Sequence, residues 1–157
     1  MEINGIPLHP LVVHAAVVLT PVAGLVAILH GLVPRWRWLT RWPLLLAAVV
    51  GAAVTYVATL SGSDLKARLG IGGNEIEIHQ MWAGRLQVAM WVLVAVALIA
   101  WWVLPFKNPL AHGVDREARV SGLARPLMLV LPLVGIVVLV LVFLTGEAGA
   151  RTVWGGR

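Results

Sequence analysis

Three imidazoles carry most of the chemistry this sequence offers. His9 and His14 lie in Leu8-His9-Pro10-Leu11-Val12-Val13-His14, and His79 closes Asn74-Glu75-Ile76-Glu77-Ile78-His79. Imidazole is the commonest protein ligand for haem iron and for many transition metals. Two histidines on facing helices can clamp a haem b iron from both sides, and His14 and His79 are the pair expected at matching depth. Arg85 is the cation placed to pair with a propionate. A second reading gathers His9, His14, His79 and Asp64 around copper or zinc, with Met81 as a soft ligand for copper(I). His9 and His14 are five residues apart, roughly 140° around a helix, so both face one ion only if His9 has left the helix. The plain alternative makes all of them structural, with His9 capping the first helix before Pro10 at its first position.

Any such site must be held by helices in a bilayer. The chain has 157 residues, 60% hydrophobic and 12% charged, with a mean hydropathy of +0.91. A soluble domain is nearer 45–50% apolar and about 25% charged. Four runs, near 10–32, 43–60, 78–104 and 126–145, reach the ~20 residues a spanning helix needs. The fold expected is all-α: one transmembrane domain over 1–157, an integral membrane antiparallel four-helix bundle. The segment before the first run lacks the basic region of a signal peptide, so the first helix is expected to stay in the mature protein.

Orientation follows the positive-inside rule. Arg35, Arg37, Arg41, Lys107, Arg116, Arg119 and Arg125 fall in the loops 33–42 and 105–125, beside only Asp115 and Glu117. Those loops are expected in the cytoplasm, and both termini outside it. Trp36, Trp38, Trp42, Trp101 and Trp102 suit an aromatic belt on the same side. The net charge of +5 is thus mostly a topology signal, and nucleic acid is not an expected partner.

Along the chain, Pro21, and Pro132 with Gly135, predict bends, while Gly24 and Gly51 predict close helix approach. Ser61-Gly62-Ser63-Asp64 reads as the turn closing the second helix, and Asn74 as the cap of the third. Residues 115–119 suit a short amphipathic surface helix. An even number of passes brings His9, His14, Asp64, Glu75, Glu77, His79, Arg85 and Glu147 to the extracytoplasmic end. The cytoplasmic ends offer only His30 and His112 among arginines, and His30 reads as an interfacial histidine. The sequence holds no Ser-His-Asp order, P-loop, HExxH or GxGxxG. With no cysteine it has no disulfide, thiolate metal site or c-type haem.

His-Pro-x-x-Val-His at the start of a first membrane helix, within four helices of this length, resembles a bacterial membrane family catalogued as domain of unknown function 2231. The resemblance rests on Gly5 to His14, Ser61-Gly62-x-Asp64, His79 and the tail from Gly146 to Gly155. It implies a four-helix membrane domain found beside or fused to redox modules such as Rieske iron–sulfur domains, with His9, His14, Asp64 and His79 at the matching positions. The function expected is a redox or electron-transfer accessory subunit of the bacterial inner membrane, whose partner supplies the substrate chemistry. A scaffold subunit of a larger membrane complex, or a homo-oligomer, is the competing arrangement.

Overall fold

Apolar side chains on every face leave these helices no aqueous side, so their backbone polar groups must pair within each helix. The computed structural model describes residues 1–3, 5–110 and 115–154; His112 lies outside them. A small hairpin, β1 (Glu2–Ile3) and β2 (Ile6–Pro7), leads into α1 (Leu8–Leu32). A 3-10 turn at Pro34–Trp36 opens into α2 (Arg37–Leu69), followed by α3 (Asn74–Val103) and α4 (Ser121–Trp154). All four helices are long and apolar enough to cross a membrane.

Several helix boundaries differ from the sequence expectation, three of them for a clear local reason. The cap of α1 is Pro7, so His9 sits inside the first turn; Pro10, in that same turn, still costs no intrahelical bond. Helix α2 runs straight through Ser61-Gly62-Ser63-Asp64. The hydroxyls of Ser61 and Ser63 bond back to the Ala58 and Thr59 carbonyls, at 3.1 Å each, and Asp64 pairs with Arg68 one turn on, at 2.9 Å. The helix stops instead at Gly70, whose φ of 61° supplies the left-handed turn a C-terminus favours. In α4, Thr145 bonds back to Leu141 (2.7 Å) and Glu147 pairs with Arg151 (2.7 Å), so that helix also continues beyond the apolar run.

The cap of α3 is Gly73, not Asn74. Residues 115–119 form no helix. Phe106 and Arg116 make an antiparallel bridge there, and the Arg119 N–H donates to the Val103 carbonyl at 3.4 Å. Pro21, Pro43, Pro126 and Pro132 all lie within continuous helices.

The helices form an antiparallel ring in which α1 packs on α2 and α4, and α3 packs on α4 and α2. The core is built from small residues, with Ala23, Ala27, Ala48, Ala52, Ala97 and Ala100 fully buried around Leu44, Met90, Leu93 and Leu131. Gly24 and Gly135 let α1 and α4 touch: a Cβ on Gly135 would stand 2.6 Å from the Gly24 carbonyl. Large side chains such as Leu129, Leu133 and Phe143 point outward, where lipid is as good a solvent for them as a core. The starts of α1 and α3 and the ends of α2 and α4 share one end of the ring.

Candidate functional site

At that end two histidines adopt the same posture on different helices. His9 Nδ1 donates to the Ala58 carbonyl of α2 at 3.0 Å, with Ser61 Oγ at 3.4 Å. Its ring lies on Gly62, where a Cβ would stand 2.9 Å from Cε1. His79 Nδ1 donates to the Thr145 carbonyl of α4 at 3.1 Å. Its ring lies on Gly149, where a Cβ would stand 3.1 Å from Cε1. In both hairpins the acceptor is a carbonyl near the end of the second helix, and the seat is the glycine one turn later.

A carbonyl oxygen only accepts, so Nδ1 must carry the proton in both rings. The neutral imidazole then presents its lone pair at Nε2. That is the arrangement in which a second partner orients a metal-ligating histidine. His9 and His79 share this end of the ring, although α1 and α3 sit diagonally in it.

His14 is placed differently. Its Nδ1 donates to the Pro10 carbonyl of its own helix at 2.6 Å, on an exposed face of α1. Asp64 is engaged in an ion network with the Met1 amino group and Arg68, and Arg68 reaches Glu2 at 3.1 Å. Arg85 is exposed and stacks on Trp82, its Cζ 4.6 Å from the ring centroid. Met81 is exposed as well. Among the described residues, no three His, Asp or Glu side chains gather as a metal-ligand cluster, so His9, His14, His79 and Asp64 do not converge on one point. Nearby, Lys66 Nζ donates to Gln80 Oε1 at 2.7 Å and ties α2 to α3. A cleft of about 210 Å³ between α3 and α4, lined by Glu75, Trp82, Glu147 and Arg151, is smaller than the ~300–1,000 Å³ of ordinary ligand pockets.

The opposite end is built for closure. His30 is buried, and its Nδ1 donates to Thr40 Oγ1 at 2.8 Å, because the single Thr40 proton goes to the Trp36 carbonyl at 2.9 Å. Arg37, 1% exposed, donates to the His30, Gly31 and Pro105 carbonyls at 3.1, 3.4 and 3.5 Å. It satisfies carbonyls that the end of α1 leaves unpaired.

Sequence reasoning found the imidazoles but missed their seats. Gly62 and Gly149 each lie in a Ser/Thr-Gly-rich stretch, and that shared composition is the one sequence signal that could have found them. Comparison with curated proteins and with solved structures gave no match. A family model described as "Predicted membrane protein (DUF2231)" matches residues 5–157, and the chain belongs to that family.

Proposed function

We propose that this protein is a redox accessory subunit of a bacterial cytoplasmic membrane that holds one haem b between His9 and His79. The observation that carries the reading is the matched pair of carbonyl-locked imidazoles, at 3.0 and 3.1 Å, each with Nε2 outside any hydrogen bond among the described residues. Donor number favours haem over a bare ion. The macrocycle brings four nitrogens of its own, so two imidazoles complete the coordination, whereas structural zinc asks for four protein ligands.

The group supplies one-electron chemistry when bound. The chain's own residues fix the ring orientation through the Ala58 and Thr145 carbonyls. Raising ligand basicity through the Nδ1–H···O=C bond is a further effect of those carbonyls. Arg85, which no carboxylate approaches within ion-pair distance among the described residues, is the cation available to a propionate. Substrate chemistry then belongs to a partner redox protein.

Titrating haem into the detergent-solubilised chain tests this. The expected result is a Soret band that saturates at one haem per chain. Absence of any Soret band, with zinc or copper bound instead, contradicts it.

A further inference from the structure

Where the α1–α2 and α3–α4 connections meet, Trp101 is surrounded by arginines. Arg41 of α2 places Cζ 4.2 Å from the Trp101 ring centroid, 4.8 Å from Phe106 and 5.9 Å from Trp42. Arg116 stacks on Trp101 at 5.9 Å and donates from Nη1 to its carbonyl at 3.2 Å. Arg119 stacks on Trp102 at 5.1 Å. The Phe106–Arg116 bridge and an edge-to-face Trp42–Trp101 contact at 5.4 Å hold this frame in place.

The three guanidinium groups lie within electrostatic range of one another. Among the described residues none of them has a carboxylate within ion-pair distance; the ion pairs lie at the other end of the bundle. Asp115, one residue before Arg116, instead accepts the Asn108 N–H at 2.9 Å, and Glu117, between Arg116 and Arg119, makes no ion pair among the described residues. Arg41 Nε is buried without a hydrogen-bond partner among the described residues. A topology signal needs only positive charge. It does not need three like charges pinned on aromatic faces with a buried donor left over, an arrangement that costs free energy unless an anion joins it.

We propose that Arg41, Arg116 and Arg119 bind a phosphate-bearing anion, seated as the headgroup of an anionic phospholipid. Arginine suits phosphate because its planar fork can donate two parallel hydrogen bonds. The acyl chains would lie along the exposed side chains of Trp42, Leu46 and Trp102, at the level where tryptophan prefers the membrane interface.

The experiment is thermal unfolding of the full chain in detergent, with added phosphatidylglycerol, phosphatidylcholine or inorganic phosphate. Phosphatidylglycerol is expected to raise the melting temperature and phosphatidylcholine to leave it unchanged. Arg41→Gln and Arg116→Gln should each weaken the phosphatidylglycerol effect roughly tenfold in concentration, the scale of a lost charge-assisted hydrogen bond. Arg119→Gln, which removes no hydrogen bond to the chain, gives the same answer should either of those fail to fold. Arg35→Gln, outside the cluster, should behave as wild type. An equal shift from inorganic phosphate supports the anion site with a soluble source. No selectivity between the two lipids, or equal weakening by Arg35→Gln, overturns the proposal.

Discussion

At the scale of single side chains, His9 and His79 differ from His14 in the acceptor each Nδ1 finds. The first two bond across to a neighbouring helix, at 3.0 and 3.1 Å, and His14 bonds to its own, at 2.6 Å. The sequence made the residue types legible but not this choice. Steps of 100° along a helix give relative faces, and depth alone favoured His14; the seats at Gly62 and Gly149 are tertiary contacts that no spacing reveals. The seats are testable. Gly62→Ala would place a methyl 2.9 Å from His9 Cε1, and is expected to cost about 1–3 kcal/mol, the usual range for overpacking, as measured by unfolding in detergent. The same variant should weaken haem binding, while Gly72→Ala, with nothing within 4 Å, should leave it unchanged.

At the scale of elements, hydropathy located four helices, because runs of about 20 apolar residues have few other uses. Their ends were less legible. Ser-Gly-Ser-Asp and Thr-Gly-Glu look like turns, yet hydroxyls bonding back to the preceding turn and i,i+4 ion pairs carry α2 and α4 onward. The close contact of α1 with α4 predicts that Gly135→Ala, with its methyl 2.6 Å from a main-chain oxygen, destabilises by about 1–3 kcal/mol. Gly84→Ala, a helical site with nothing within 4 Å, should instead gain about 0.5–1 kcal/mol. Equal effects in chemical denaturation would mean that α1 and α4 do not meet there. Arg37→Ala should be worse than either, because it strips the buried carbonyls of His30 and Gly31 of a charged donor; bonds to charged groups are worth about 1.5–3 kcal/mol each. Arg37→Lys restores only part of that, since an ammonium cannot fork between carbonyls.

At the scale of the whole molecule, four antiparallel passes put the start of α1 and the end of α4 at one end of the ring, and the arginine-rich connections at the other. Charge bias then predicts which end is cytoplasmic. A cysteine introduced as Ser63→Cys should react with a membrane-impermeant maleimide in intact cells, and Lys107→Cys only after permeabilisation. The reverse pattern would invert the topology. The same geometry brings to one end imidazoles that are 70 residues apart in the chain, and the proposal to test is that His9 and His79 would hold one haem. The most direct measurement is the low-temperature electron paramagnetic resonance spectrum of haem-loaded protein and its three histidine variants. A low-spin signal in wild type and His14→Ala, lost in both His9→Ala and His79→Ala, is the expected result. Loss of that signal in His14→Ala, with His9→Ala unchanged, would contradict it.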